Sequence, residues 1–141
     1  MLLHVTQFTS YSHGCPLIRL YITPTECQEA LGMENGAISD EQISASSRYS
    51  DETYASLARL FLQNTTYHGG GWAAQTSDSS QWLQVDLNSQ YRVTRVATQG
   101  RDSDDHWHQW VTTYKLQYKD DGGSFQTCKE LGQSTAKVES T

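Results

Sequence analysis

Apolar and polar positions alternate along two stretches of the chain. In Gln81–Leu87, Leu83, Val85 and Leu87 fall on one side of an extended backbone, and the intervening residues fall on the other. In Trp110–Tyr118, aromatic, threonine and leucine positions alternate with positions that are mostly polar. A period of two is typical of a strand with one buried face. Both stretches therefore predict strands of an antiparallel β-protein.

A hairpin and a further strand are predicted around these two stretches. Asp121 and Gly122 follow the second stretch, and an Asp-Gly turn between alternating runs predicts a hairpin. Its return strand is expected to begin at Phe125 and to end near Cys128. Tyr91–Thr98 predicts another strand, whose two valines are three positions apart. That spacing breaks the alternation and indicates a bulge or a bend.

The middle of the chain fits two interpretations. Residues 49–62 carry apolar side chains at a spacing that fits one or two helical turns, yet Ser50–Thr53 equally fits an exposed loop. We interpret Gly69–Gly71 as a flexible hinge that precedes the bulky ring of Trp72. Short strands separated by turn signals predict a β-sandwich or a barrel.

The first segment of the chain has no convincing period. Residues 1–26 are predicted to be a weakly ordered leader or linker, in which Leu17–Ile22 fits a short strand that Pro24 closes. This segment lacks the basic region and the sustained apolar run of a signal peptide. Residues 27–141 are then expected to form the domain proper.

Composition narrows the range of partners. The chain has 141 residues, with 16 acidic against 10 basic ones and a formal charge of −6. Phosphate recognition needs clustered Lys and Arg, which argues against a nucleic-acid partner. The same charge disfavours purely electrostatic docking on an anionic membrane. No apolar run approaches the ~20 residues that span a bilayer.

Cysteine usage and one sequon bear on the compartment. Cys15, Cys27 and Cys128 are an odd number of cysteines, so at least one thiol has no internal partner. Asn64-Thr65-Thr66 is a sequon for N-glycosylation at Asn64, which is meaningful in a secreted chain.

Signals for catalysis and for metal binding are sparse. His106 and His108 share one side of an extended chain, and imidazole suits zinc or copper. No third ligand follows from the sequence, so a solvated loop is the simpler interpretation. Paired carboxylates facing a cleft, nucleophile and zinc-protease motifs and a phosphate loop are all missing. We predict a non-catalytic protein with no metal ligands.

The order of these motifs resembles the discoidin family, also called the coagulation factor 5/8 type C family. The resemblance runs from Cys27 to about Lys137 and implies an all-β, discoidin-type jelly-roll β-sandwich. The matching positions are Cys27, Leu31–Gly36, Ile38, Asp40, Gln42-Ile43, Ala45–Ser47, Ala58–Leu60, Gly70, Trp72, Ala74, Gln81–Leu87, Val93-Thr94, Val96–Arg101, Gln109–Thr112, Tyr114–Leu116, Tyr118 and Asp121-Gly122.

The chain departs from the family pattern near its end. The family usually has Trp where this chain has Phe125, and often Tyr where it has Cys128. It also continues through further strands to a closing cysteine that bonds the first one. Cys27 then lacks its usual partner, and a Cys15–Cys27 disulfide stays open. We expect an incomplete sandwich of marginal stability that lacks its last strands, because a lost native disulfide costs ~2–5 kcal/mol.

The resemblance also implies two projecting loops that contact ligands. Collagen-binding members carry an aromatic residue at the position of Tyr49, and exposed aromatics stack on sugars or insert into lipid. The charges of the first loop, residues 48–54, disfavour insertion into a membrane, because burying carboxylates is costly. The alternative for Tyr49 and Tyr54 is partial packing in the core. The candidate ligand-binding residues are Arg48, Tyr49 and Tyr54 in the first loop and Arg101, His106 and Trp107 in the second.

A second group of residues is interpreted as structural. Asp86 is expected to hydrogen-bond to Arg59 or Arg95, because buried charges are normally paired. Trp72 is expected to pack in the core, because large aromatic residues dominate core area. The structural group consists of Cys27, Trp72, Trp82, Asp86 and Trp110.

The predicted function is a non-catalytic extracellular or cell-surface adhesion module. Its expected ligand is a glycan or a glycoprotein such as collagen, bound through the projecting loops. Two alternatives stay open: a truncated fragment with no ligand of its own, and a phospholipid-binding module. No cofactor is predicted; some glycan-binding members hold calcium with loop carboxylates and carbonyls, and the sequence does not place such ligands here.

Overall fold

The computed structural model describes residues 2–6, 21–22, 30–91, 93–101, 109–128 and 138–140. These residues form short strands, and their helical content is two single 3-10 turns at Asp40–Gln42 and Ala55–Leu57. The predicted all-β class is therefore confirmed. The strands are β1 Leu2–Thr6, β2 Tyr21–Ile22, β3 Ile43–Ala45, β4 Trp82–Asp86, β5 Val93–Arg95, β6 Thr113–Lys119, β7 Gln126–Thr127 and β8 Val138–Ser140.

The described strands form two antiparallel sheets. The larger sheet has six strands in the order β3-β4-β1-β6-β7, with β8 paired to another part of β6. The smaller sheet pairs β2 with β5, and its register shifts between Tyr21 and Ile22. An irregularity in this pairing agrees with the broken alternation of the valines in the predicted strand.

Strand β1 lies inside the larger sheet. It pairs along its whole length with β4 on one side and with β6 on the other, so that Leu3 is opposite both Val85 and Tyr118. We expected residues 1–26 to be a weakly ordered leader, yet the structure places Leu2–Thr6 and Tyr21–Ile22 in the two sheets. A domain boundary at residue 27 stays a prediction.

The core lies on the buried face of β4. Val85 and Leu87 are each 5% exposed and pack with Ile38 and Ile43. Leu83 contacts this cluster from the same face of the strand, which confirms the predicted alternation. Truncation of a buried aliphatic residue to alanine costs about 2–5 kcal/mol, so each residue of this cluster contributes substantially to stability.

The predicted Asp-Gly hairpin is present between β6 and β7. The Gly123 amide donates to the Asp120 carbonyl over 3.0 Å, and Gly122 has a φ of +75°. Tyr118 is then opposite Gln126 across the hairpin. Glycine is needed in this turn because a side chain disfavours a positive φ.

The region 49–62 contains one 3-10 turn, Ala55–Leu57, and is otherwise a loop. Arg59 follows this turn and donates hydrogen bonds to the carbonyls of Met33 and Ile38, each over 2.9 Å. Its guanidinium also pairs with the carboxylate of Asp40. Arg59 thereby links the loop that precedes β3 to the 3-10 turn at Ala55–Leu57, which follows β3.

The expected hydrogen bond between Arg59 and Asp86 is wrong. Asp86 ends β4, and its Oδ1 accepts the backbone N–H of Asn88 over 2.8 Å. Asp side chains commonly bond the backbone two residues further on in a turn. The Arg59 guanidinium bonds Met33, Ile38 and Asp40 instead. Arg95, the other expected partner, has a side chain outside the described part of the chain.

Candidate functional site

The loop of residues 48–54 is held by one buried hydroxyl. Thr53 is 2% exposed, and its Oγ1 accepts the Ser50 amide over 3.0 Å and donates to the Ser50 carbonyl over 3.2 Å. Buried polar groups are stable when they are hydrogen-bonded. Thr53 therefore fixes a tight turn, and the residues at the loop tip point away from the core.

The tip of this loop presents an aromatic side chain beside an ion pair. Tyr49 is 72% exposed and Tyr54 is 36% exposed. Arg48 pairs with Asp51 over 2.8 Å, and both side chains are open to solvent. An exposed ion pair contributes only ~0–1 kcal/mol to stability, so these charges are available to a ligand at little cost to the fold. The core-packing alternative for Tyr49 does not match its exposure.

Main-chain hydrogen bonds join this loop to the glycine-rich segment that follows. The Tyr49 amide donates to the Ala73 carbonyl over 2.8 Å, and the Gly69 amide donates to the Glu52 carbonyl over 2.7 Å. Residues 48–54 thus run beside residues 69–73. The anchoring is made by backbone atoms, which leaves the side chains at the tip free to vary.

Close packing explains the glycines at 69 and 70 better than a hinge does. A methyl carbon at Gly69 would lie 2.8 Å from Nη2 of Arg101 and 3.3 Å from the Glu52 carbonyl oxygen. Gly70 has a φ of +70°, and a methyl carbon there would lie 2.8 Å from the Asn64 amide nitrogen. Gly70 needs glycine because a side chain there would meet fixed backbone atoms at a positive φ, whereas at Gly69 the end of the flexible Arg101 side chain occupies the space.

Arg101 stands at the base of the second projecting loop. Its amide donates to the Gln109 carbonyl over 2.7 Å, and the Gln109 amide donates back over 3.1 Å. Arg101 Nη1 donates to Gln109 Oε1 over 3.4 Å. Its Nε, like Nδ1 of His68, is buried and has no hydrogen-bond partner among the described residues. The guanidinium therefore lies against Gly69, with hydrogen-bonding capacity that these residues do not use.

We name residues 48–54, Gly69–Gly71 and Arg101 the loop cluster. Gly69 is where its parts meet, since the Glu52 carbonyl and the Arg101 guanidinium both contact that glycine. The structure thus brings the backbone of the first loop, at Glu52, and the Arg101 guanidinium to the same glycine. His106 and Trp107 lie outside the described residues, and so does Cys27.

The predicted structural tryptophans are all half-buried. Trp72 Nε1 donates to the Ser47 carbonyl over 2.8 Å, which ties the glycine-rich segment to the end of β3. The backbone of Trp82 pairs with Ser46. Trp110 packs so closely on Gly100 that a methyl carbon there would lie 2.9 Å from the Trp110 Cβ. Cys128 is a half-buried thiol.

Sequence reasoning missed a polar network behind the first loop. Gln81 is 7% exposed, and its Oε1 accepts the hydroxyls of Ser46 and Ser47 over 2.7 and 2.6 Å. Its Nε2 donates to Thr76 and Asp78. The backbone N–H of Ser80, followed by the hydroxyl of Thr76, holds the pKa of Asp78 below its ordinary value. This network joins the segment that follows β3 to the turn that precedes β4.

Two exposed aromatic residues were also missed. Phe61 is 50% exposed at a φ of +58°, and its amide donates to Gln99 Oε1 over 2.7 Å. Tyr67 is 88% exposed. It lies in a turn in which the Thr65 hydroxyl accepts hydrogen bonds from the amides of Tyr67 and His68. No signal in the sequence separated them from core aromatics, because exposure on an irregular loop has no period.

Among the residues that the structure describes, no group of three or more His, Cys, Asp or Glu side chains is arranged to hold a metal ion. The described helical segments include none with the length and apolar character that crossing a bilayer requires.

The fold and the loop cluster define an all-β module with exposed aromatic and cationic side chains on loops that backbone hydrogen bonds anchor. Comparison with known families gives its identity. The model of the F5/8 type C domain matches residues 42–141, and the chain belongs to this family. The resemblance to discoidin domains is thereby confirmed.

Several curated proteins are similar to the chain. Bovine lactadherin is 38% identical over 118 residues, covering 79% of this chain and 27% of lactadherin. Human neuropilin-1 is 40% identical over 106 residues, covering 74% of this chain and 11% of neuropilin-1. Mouse coagulation factor V is 34% identical over 134 residues, covering 90% of this chain and 6% of factor V. The chain thus spans about a quarter or less of these relatives. No solved structure matches it.

Proposed function

We propose that this chain is a non-catalytic, extracellular binding module that attaches to a glycan or a glycoprotein, such as collagen, on a cell surface or in the matrix. Membership of the F5/8 type C domain family supports this proposal, and so does the similarity of the chain to lactadherin, coagulation factor V and neuropilin-1. The loop cluster is the proposed binding surface. His106 and Trp107 are proposed to extend it from the second loop.

One observation carries the proposal. Tyr49 exposes 72% of its surface on a loop whose backbone is fixed by the Ala73 and Gly69 hydrogen bonds. An aromatic side chain offers a large contact area with few rotatable bonds, so little entropy is lost when it binds. A fixed loop lowers that loss further, because the backbone is already ordered before the ligand arrives.

The charges of the cluster support a polar ligand. Arg48 supplies an exposed guanidinium group, and such groups form bidentate hydrogen bonds with carboxylates. Arg101 is half-buried at the edge of this surface and adds positive charge beside it. The flat ring of Tyr49 matches the C–H face of a sugar or the rings of a proline-rich peptide. Cationic groups beside an aromatic ring thus fit an acidic glycan or a collagen-like peptide with acidic side chains.

Binding to a glycan array and to immobilised collagen tests this proposal. We expect the wild-type chain to bind at least one of these surfaces, and Tyr49→Ala to weaken that binding by about tenfold or more. Truncation of an aromatic hot spot typically costs ~2 kcal/mol or more, and ~1.4 kcal/mol is tenfold. The matched control is Tyr91→Ala, since Tyr91 is also an exposed tyrosine, at 38%, but lies between β4 and β5.

The outcomes separate the alternatives. A folded wild-type chain that binds no glycan and no collagen contradicts the proposal and supports a fragment with no ligand of its own. An equal loss for Tyr49→Ala and Tyr91→Ala contradicts the location of the site.

Phospholipid binding is a second candidate, and the exposed rings of Phe61 and Tyr67 favour it. Exposed aromatic residues on loops enter the interfacial region of a bilayer. The carboxylates of Asp51 and Glu52 on the neighbouring loop oppose insertion, because burying them is costly. Flotation with vesicles that contain phosphatidylserine tests this candidate, and a chain that stays with the protein fraction excludes it.

A further inference from the structure

The centre of the larger sheet is a single strand from the start of the chain. β1 separates β4 from β6, and each of its residues from Leu2 to Thr6 is paired on both sides. The two neighbours are not paired with each other in this order of strands. Without β1, both would present an unpaired backbone edge in the interior of the sheet.

The empty position would be costly. Nearly all buried backbone N–H and C=O groups in proteins are paired, and an unpaired one destabilises the fold. Antiparallel strands on both sides of a gap accept an extended segment through its backbone, as in recognition by strand addition. The position between β4 and β6 is therefore a site that some strand has to fill.

The register shows what this site accepts. Leu3 is opposite Val85 and Tyr118, and Val5 is opposite Leu83 and Leu116. Directly opposite residues of antiparallel strands share one face of the sheet. Val85 is 5% exposed on that face. The site thus accepts an extended segment that runs antiparallel to both neighbours and whose register is set by backbone pairing with β4 and β6.

The connection after β1 is long. Fourteen residues, 7 to 20, separate Thr6 from Tyr21, the first residue of β2 in the other sheet. A chain of this length spans at most about 50 Å when extended, at ~3.6 Å per residue. The segment Leu2–Thr6 of one molecule can therefore reach the same position in a neighbouring molecule, which is the geometry of a domain swap.

We propose that the position between β4 and β6 is a strand-exchange site, which takes the Leu2–Thr6 segment of a second copy of this chain in place of its own. The segment of a second copy has the same register with both neighbours, so the exchange preserves every backbone pair. This inference is independent of the proposed ligand, because it concerns the sheet rather than the loop cluster.

A peptide with the sequence of Met1–Gln7, fluorescently labelled at its C-terminus, probes this site in the full chain. Val5→Pro removes an N–H from the ladder and disfavours the central position for the chain's own strand. We expect the peptide to bind the Val5→Pro chain at least tenfold more tightly than the wild-type chain, measured by fluorescence anisotropy. Hydrogen exchange should slow at Trp82–Asp86 and Thr113–Lys119 when the peptide is added.

Two controls make the test specific. Val5→Thr keeps the N–H and a β-branched side chain, so this variant should bind the peptide no better than the wild type does. A peptide that carries the same Val5→Pro change should not bind. If the Val5→Pro chain does not fold alone, refolding it with the wild-type peptide should restore the circular dichroism of the native chain. A variant that neither binds the peptide more tightly nor is rescued by it overturns the proposal, and so does slowed exchange confined to other strands.

Discussion

Glycine and arginine residues decide the geometry of the loop cluster. Gly69 allows the Arg101 guanidinium to lie against the backbone, and Gly70 adopts a positive φ beside the Asn64 amide. Gly69 and Gly70 differ in the atoms that an added side chain would contact. At Gly69 it meets the far end of a flexible side chain, whereas at Gly70 it meets a fixed backbone.

This difference gives a prediction for two adjacent substitutions. Gly70→Ala should lower the free energy of unfolding by about 1–3 kcal/mol, because alanine is strained at a positive φ and contacts fixed atoms. Gly69→Ala is the matched control and should cost less than ~1 kcal/mol, since Arg101 can move aside. Urea denaturation measures both variants, and equal losses would contradict this account of the two glycines.

A second prediction concerns Asp40. The hydrogen bond from the Arg59 side chain holds the pKa of Asp40 below its ordinary value of 3.8. A carboxylate whose pKa is lower in the folded state stabilises the fold above its unfolded pKa, and that stabilisation disappears as the pH falls through the folded pKa. Asp40→Asn should therefore reduce stability at pH 7 and flatten the loss of stability below pH ~4.

The size of this effect is limited by exposure. The Asp40 side chain is 69% exposed, so the loss at pH 7 should be about 0.2–1 kcal/mol. Thermal melts at pH 7 and at pH 3 measure it. The control is Glu41→Gln in the same 3-10 turn, which does not contact Arg59 in the described structure and should keep the wild-type difference between the two pH values. An Asp40→Asn variant with the full wild-type acid response would contradict the role of the ion pair.

At the scale of elements, alternation predicted the strands that carry a one-sided core. Gln81–Leu87 contains β4, and Trp110–Tyr118 overlaps β6, which begins at Thr113. The pattern did not predict the 3-10 turn at Ala55–Leu57, because three residues are too few to show a period. It did not predict β1 either, because the adjacent Leu2 and Leu3 break strict alternation.

The hairpin between β6 and β7 carries a third prediction. Gly122 has a φ of +75° with open space around its Cα, so only backbone strain opposes a side chain there. Gly122→Val should reduce the free energy of unfolding by about 1–2 kcal/mol, because a β-branched residue is disfavoured at positive φ. Gly122→Asn should cost less, since Asn adopts this conformation more readily. Chemical denaturation compares the two, and similar costs would contradict a purely backbone effect.

At the scale of the whole molecule, an extracellular location has a chemical signature. Asn64 is half-buried at the edge of the turn before Tyr67, and Asn64-Thr65-Thr66 is a sequon. Expression through a eukaryotic secretory pathway should yield a chain whose mass falls after treatment with an N-glycosidase. Thr66→Ala removes the sequon and should abolish this shift.

The matched control for this fourth prediction is Thr65→Ser. It keeps the sequon and the hydroxyl that accepts the Tyr67 and His68 amides. This variant should remain glycosylated. A secreted wild-type chain without the mass shift would show that Asn64 is not modified.

The sequence by itself determined the family, the all-β class, the alternating strands β4 and β6 and the Asp-Gly turn. Each of these features depends on patterns of residues that are close together along the chain. Tertiary structure alone decided that β1 lies between β4 and β6, that Arg59 pairs with Asp40 and that Arg101 rests on Gly69. These contacts join residues far apart along the chain. Local periodicity sets the shape of a segment, but the partner that a segment meets depends on backbone pairing and packing across the whole fold.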